Sequence, residues 1–250
     1  MIPEWVGDRD VGFYELDAAT ALDPARLAFF QTYLKQEYSG PFTHGMGSYE
    51  ILDMIRTFIR DGHRLDVGSG TASLFWILGT SGDVVTTATD VEPEALTVLR
   101  DFVSAPSPLP QCYYEAAALF GHAPAIVEEL RGSIRSYLVF NAFQSWPGPL
   151  SSSRFDSATA FGCFAIGGSE SAYETCFARA GKAVRRGGRI LGADWIRHPA
   201  LQKRDYSFVS VETLRRIGRR LGLRVLHLED VPVSGDETYG SVVLWAFERP

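Results

Sequence analysis

Arg64-Leu65-Asp66-Val67-Gly68-Ser69-Gly70-Thr71-Ala72-Ser73 is the stretch that decides the fold of this 250-residue chain. Residues 64–67 have the apolar character of a short strand. Gly68 and Gly70 then break it, and a helix is predicted over 73–79. Two glycines two residues apart let the backbone turn sharply and let a ligand approach the loop N–H groups with no Cβ in the way. In an open α/β sheet this loop lies beyond the carboxyl end of the first strand, where ligands bind. The dinucleotide fingerprint would place a third Gly or Ala at position 73; Ser73 stands there, and Ala72 comes one residue early. The phosphate cradle is weakened accordingly. An acidic residue opening the loop, Asp66, suits a cationic ligand group and not a pyrophosphate.

Working outward, 83–89 is a β-branched run and predicts the second strand. Asp90 closes it in Thr89-Asp90-Val91-Glu92-Pro93, about 20 residues past the glycine loop, where a carboxylate can accept hydrogen bonds from two ribose hydroxyls. Each signal alone is common. Together, each directly after a strand, they point to an adenosyl ligand without phosphates. A helix follows over 93–103, opened by a proline where a missing N–H is harmless. Strands are predicted at 137–140, 155–164 and 189–195, with a helix over 169–186 closed by Gly187-Gly188 and another over 210–221 capped by Ser210. Segments 223–231 and 239–247 have no helix between them and predict an antiparallel pair. The expected fold is α/β: a doubly wound, mainly parallel, seven-stranded Rossmann-like sheet with a C-terminal antiparallel pair. Ahead of it, helices over 24–38 and 48–61 form an N-terminal cap (1–62) in front of the main domain (63–250), both parts of one compact unit.

Composition limits the functional classes. Hydrophobic residues make up 46% of the chain, enough for one substantial core. The net charge of -6 argues against a nucleic-acid partner. It divides unevenly: 7 basic and 17 acidic residues in 1–125, against 17 and 13 in 126–250. The arginines of the second half, Arg185-Arg186 and Arg215-Arg216 with Arg219-Arg220, read as solvated helix faces. Cys112, Cys163 and Cys176 have no metal-ligand spacing and read as buried thiols, and no metal is expected. The opening residues lack a basic start and an apolar run, and no window approaches a membrane span. A cytoplasmic protein is expected, with monomer as the simplest oligomeric state.

The Asp66–Gly70 loop, Asp90 and the Arg186-Gly187-Gly188-Arg189 turn resemble class I S-adenosylmethionine-dependent methyltransferases. More narrowly, Tyr33-Leu34-Lys35-Gln36-Glu37-Tyr38 resembles the paired-tyrosine segment of the nicotinamide, phenylethanolamine and thioether (indolethylamine) N-methyltransferase family. The resemblance runs from about Pro24 to the C-terminus. It implies S-adenosyl-L-methionine as cofactor, leaving as S-adenosyl-L-homocysteine. Tyr33 and Tyr38 would meet the methionyl carboxylate; Asp66, Gly68, Ser69, Gly70 and Thr71 would form the loop; Asp90 and Val91 would flank the ribose; Asn141 and Ala142 would sit beside the adenine; Cys163 would close the far side. Ala165 stands where relatives carry an acid that meets the substrate amine, and Ala95 replaces a residue that helps hold the ribose.

The reaction read from this is in-line methyl transfer to a small-molecule acceptor, foremost the nitrogen of a small aromatic or heteroaromatic amine. Such a displacement depends on holding two reactants in line, worth about 7–11 kcal/mol in favourable cases, and needs no protein nucleophile. Asp194, at the end of the fifth strand, is the first candidate for touching the acceptor; His44 and His198 are the best-placed histidines. Phe164, Trp195, Tyr206 and Tyr239 are candidates for an aromatic acceptor pocket. The competing readings are O-, S- or C-methylation, a non-catalytic S-adenosylmethionine-binding module, and a nicotinamide oxidoreductase, for which the third small residue is missing.

Overall fold

The computed structural model describes residues 9–17, 19–80, 83–152, 154–202 and 206–250. The opening segment 1–8, read above for a leader, lies outside them. The chain runs β1 (Tyr14–Glu15), α1 (Pro24–Tyr38), α2 (Ser48–Phe58), β2 (Gly62–Val67), α3 (Ser73–Ile77), β3 (Val84–Asp90), α4 (Pro93–Ser104), α5 (Gln111–Leu119), α6 (Pro124–Glu129) and β4 (Ile134–Val139). It continues through α7 (Gly148–Ser151), β5 (Phe155–Phe161), α8 (Glu170–Ala183), β6 (Val184–Arg197), α9 (Val211–Leu221), β7 (Arg224–Pro232) and β8 (Tyr239–Glu248).

These strands form a single sheet ordered β1-β4-β3-β2-β5-β6-β8-β7. From β4 to β6 the pairing is parallel, and β8 enters antiparallel between β6 and β7. This is the expected seven-stranded arrangement with one strand added: β1 pairs antiparallel with β4 through Tyr14 and Glu15. Two residues are too few to show strand alternation in a sequence. The order reverses between β2 and β5, which sets the ligand crevice beyond their carboxyl ends.

Helices cover both faces, as a buried parallel sheet requires. One core gathers Leu52 and Ile55 of α2 with Leu74, Ile77, Leu96 and Leu99. The other gathers Phe155, Phe177, Leu214, Ile217, Trp245 and Phe247. Helix α2 thus belongs to a main packing layer. Helix α1 instead lies on α4, with Phe30 against Ala95 and Val98. Asp23 caps α1 by accepting from the N–H groups of Ala25 and Arg26. Two fully buried carboxylates fasten α1 and the preceding segment down: Arg26 Nη1 donates to both Glu92 oxygens at 2.8 and 2.7 Å, and Arg9 reaches Glu94 at 3.0 Å. These charge-assisted hydrogen bonds supply partners to carboxylates that would be costly to bury unpaired.

The Arg185-Arg186 pair corrects the sequence expectation. Helix α8 ends at Ala183, and Val184 is already extended at ψ 148°. The two arginines therefore lie at the start of β6, where Arg185 pairs with Asp156. The β-branched Val184, paired with Phe155 across the sheet, ends the helix earlier than the glycines do. Gly187, at φ +74°, forms the irregular turn within the strand. Arg216 and Arg220 do sit on an exposed face of α9, paired with Glu170 and Glu174 of α8.

Candidate active site

The glycine loop is stapled to β3 before any ligand is considered. Ser69 N–H donates to the Thr89 carbonyl at 2.8 Å, and Thr89 N–H donates back to Ser69 Oγ at 3.0 Å. Both hydroxyls also donate to the Asp66 carbonyl, at 3.0 and 2.7 Å. The Ser69 side chain is consumed in holding the loop's shape, which leaves loop backbone and not hydroxyl to face the crevice. Gly68 and Gly70 have φ of +68° and +50°, left-handed values that disfavour any other residue. A Cβ on Gly68 would sit 2.5 Å from Cys163 Sγ, just past β5. Gly68→Ala is therefore expected to lower the melting temperature by an amount equivalent to about 1–3 kcal/mol and to weaken stabilisation by S-adenosylhomocysteine, checked by thermal melts with and without it.

Asp90 is anchored by the same loop. Its Oδ2 accepts from Gly70 N–H at 2.8 Å and its Oδ1 from Glu92 N–H at 2.9 Å. Burial nevertheless pushes its carboxyl up to about 6, with the two N–H donors opposing. A carboxylate held in place yet short of charge-stabilising partners is prepared for further donors. Beneath the loop, Asp66 is nearly inaccessible and is paired with the fully buried Arg64 at 3.6 Å. Thr159 donates to Asp66 Oδ1, while Asp66 Oδ2, which faces Arg64, and the buried Thr71 Oγ1 accept no hydrogen bond among the described residues. Both residues border the cavity.

That cavity encloses about 640 Å3, within the range of small-molecule sites. It brings together Tyr33, Tyr38, Asp66, Gly68, Ser69, Gly70, Thr71, Asp90, Val91, Asn141, Ala142 and Cys163, every residue expected around a cofactor. The rings of Tyr33 and Tyr38 meet edge to face at 6.4 Å. Burial raises both phenols, so they remain protonated donors. The Asn141 amide is partly occupied: it donates to the Arg9 carbonyl at 3.0 Å and accepts from Phe143 N–H at 2.8 Å.

At the other end the cavity is bordered by Trp195, Tyr206 and Tyr239, as expected, together with Asp194. Both Asp194 oxygens are engaged. Tyr173 Oη and Trp245 Nε1 donate to Oδ2 at 2.8 and 3.1 Å, and Ala165 N–H donates to Oδ1 at 3.3 Å. Burial raises the Asp194 carboxyl and these donors oppose it. Geometry thus makes Asp194 a fastener between β6, α8 and β8. Phe164, His44 and His198 are not brought to the cavity. Phe164 is stacked on Trp245 at 5.6 Å inside the core, because the chain turns inward after Gly162. His44 lies edge-on against Phe42, and the His198 ring nitrogen faces the Asp236 carbonyl at 3.3 Å.

Sequence reasoning missed several lining aromatics. Trp76, on the helix after the glycine loop, lies 4.9 Å from Phe161 and 6.3 Å from Trp195. Phe42 stacks on Phe75 at 6.2 Å, and Trp195 Nε1 donates to the Met46 carbonyl at 3.1 Å, tying the α1–α2 connection to the sheet. Arg197 was missed too, although strand alternation from Trp195 puts it on the same side. No group of His, Cys, Asp or Glu among the described residues could hold a metal ion. No helix among the described residues is long and apolar enough to cross a membrane.

No family model and no curated protein matches the chain. Solved structures do. A phosphoethanolamine N-methyltransferase 2 from Haemonchus contortus, solved with phosphomonomethylethanolamine and S-adenosylhomocysteine, superposes with a TM-score of 0.55 at 14% identity over 89% of this chain. This chain spans 56% of that protein's length. A TehB-like S-adenosylmethionine-dependent methyltransferase from Corynebacterium glutamicum gives 0.54 at 14% identity, covering 91% of this chain and 100% of the other. The N-methyltransferase NodS from Bradyrhizobium japonicum gives 0.52 at 12%, covering 81% and 94%. The fold of this chain is therefore the Rossmann-like fold of S-adenosylmethionine-dependent methyltransferases.

Proposed function

We propose that this protein is an S-adenosylmethionine-dependent methyltransferase acting on a small molecule, foremost on the nitrogen of a small aromatic or heteroaromatic amine. One observation carries the reading: Asp90, fixed by the Gly70 N–H, opens into the same cavity as the aromatic group around Trp76 and Trp195. Bound S-adenosylmethionine would supply an electrophilic methyl on a sulfonium. Asp90 would accept from the ribose hydroxyls, and Tyr33 and Tyr38 would donate to the methionyl carboxylate. Asp66 Oδ2, ion-paired with Arg64 but without a hydrogen bond, and Thr71 Oγ1 are buried polar atoms to which a polar methionyl or ribose group would supply hydrogen bonds. At the acceptor end, Trp76, Phe161 and Trp195 would exclude water and stack on a flat acceptor. An amine must be neutral to attack, and a desolvated aromatic site lowers its affinity for a proton. Holding the amine in line with the methyl would supply the main rate enhancement.

The solved N-methyltransferases of similar fold support an amine acceptor. Calorimetric titration with S-adenosylhomocysteine and S-adenosylmethionine is the direct test. Micromolar binding is the expected result, and its absence in well-folded protein would sink the reading and turn attention to nicotinamide cofactors.

A further inference from the structure

Arg197 is the one cationic side chain among the described residues that line the cavity. It ends β6, two strands away from the glycine loop, and its Cα partner across the sheet is Tyr239 of β8, which also lines the cavity. The β6–β8 register slips by one residue between Ile196 and Arg197, and both side chains nevertheless border the same cavity. The guanidinium stands beside the Tyr239 hydroxyl and opposes the rise that burial imposes on that phenol. No carboxylate among the described residues lies within ion-pair distance of Arg197, whereas the buried Arg64 and the partly buried Arg9 and Arg26 all have one. Asp236, the lining acid nearest in sequence to Tyr239, is engaged by its own turn: its Oδ1 accepts from Thr238 and Tyr239 N–H, both at 2.7 Å. Glu37 lies exposed at the rim on α1. A guanidinium and a phenol side by side at a cavity, with no acid among the described residues ion-paired to the guanidinium, form a receptor for an oxyanion.

We propose that the acceptor carries a carboxylate as well as its methylated atom, and that Arg197 and the Tyr239 hydroxyl hold that carboxylate. This rests on the methyltransferase reading and narrows its substrate class to amino acids and aminobenzoates. A monoanion is matched by one guanidinium; a phosphate dianion beside Glu37 and Asp236 would be left short of positive charge. The carboxylate would fix the acceptor's tilt in the aromatic box, so Arg197 selects the substrate and takes no part in bond making.

The test uses the full chain saturated with S-adenosylhomocysteine, whose own binding is measured first. Three matched pairs are then titrated: anthranilate and aniline, tryptophan and tryptamine, phenylalanine and phenethylamine, with phenyl phosphate as the dianion. The expected result is at least one carboxylate binding about tenfold or more tightly than its uncharged-end twin, lost in Arg197→Gln and partly kept in Arg197→Lys, with S-adenosylhomocysteine affinity within about twofold of wild type in both. Equal affinities within every pair, no carboxylate binding, tighter binding of phenyl phosphate, or carboxylate binding that survives Arg197→Gln overturns the proposal. Failure of S-adenosylhomocysteine to bind the wild type instead overturns the cofactor reading on which it rests.

Discussion

Replacing Asp90 with alanine is expected to weaken S-adenosylhomocysteine binding by about 1–3 kcal/mol, or roughly 5- to 150-fold in Kd, as loss of a charged hydrogen-bond acceptor should. The carboxylate is held by Gly70 and Glu92 N–H groups, so alanine also removes a brace of the glycine loop. Asp90→Asn separates the two effects: it keeps the size and one acceptor oxygen while losing the charge. The same group sets a pH dependence. In the ligand-free protein its carboxyl titrates at about 6, above the ordinary 3.8. Ribose hydroxyls donate to the ionised form, so affinity should fall by up to about tenfold per pH unit below pH 6 and stay flat above it. For stability the sign is opposite. The folded state keeps its proton to a higher pH than the unfolded chain, so between about pH 4 and 6 this group withdraws roughly 2–3 kcal/mol as pH rises. Calorimetry from pH 5 to 8 checks the first expectation. An affinity as strong at pH 5 as at pH 7.5 would mean that Asp90 does not meet the ligand as an ionised acceptor.

Arg64→Ala is expected to cost about 3–5 kcal/mol of stability, because removing one partner of a buried ion pair strands the other. For a chain of this length that corresponds to roughly 6–20 °C in Tm. Arg64 is completely inaccessible on the central strand β2. Its guanidinium donates to Ser73 Oγ at 2.9 Å and to the Ser73 carbonyl at 3.3 Å, and its charge faces Asp66. Its partners on the flanking strands, Thr86 and Ser157, are also buried and polar, so a polar layer crosses the centre of the sheet directly under the glycine loop. The double variant Arg64→Met with Asp66→Asn leaves no unpaired charge and should melt above Arg64→Ala. If Arg64→Ala alone melts within about 2 °C of wild type, the buried pair is not what secures the loop.

The parts of this molecule legible in its sequence are those in which the signal is local. Helix α1 runs over the predicted residues 24–38, because Asp23 caps it, Pro24 suits its first turn and Ser39-Gly40-Pro41 ends it. Gly68, Gly70 and Asp90 could be placed because each directly follows an apolar or β-branched strand. The β7–β8 pair followed from two strand-like runs with no helix between them. Signals failed where one residue type serves two environments. Phe164 and Trp195 are both large aromatics at the ends of predicted strands, yet only Trp195, which stays within β6, reaches the cavity, because the chain turns between Gly162 and Gly168. Arg185 and Arg186 fit a helical pattern as well as they fit the strand they begin.

By itself, then, the sequence determined the doubly wound sheet, the place of its switch point and a set of residues that meet in one cavity there. Hydrophobic period, β-branching, caps and glycines act within a few residues of where they stand. Only the tertiary structure decided that Asp194 is bound on both oxygens, that Ser69 is consumed in a staple, and that Arg197 and Tyr239 border one cavity. These are outcomes of which side chains compete for which partners across strands far apart in the chain, and that competition is settled by packing.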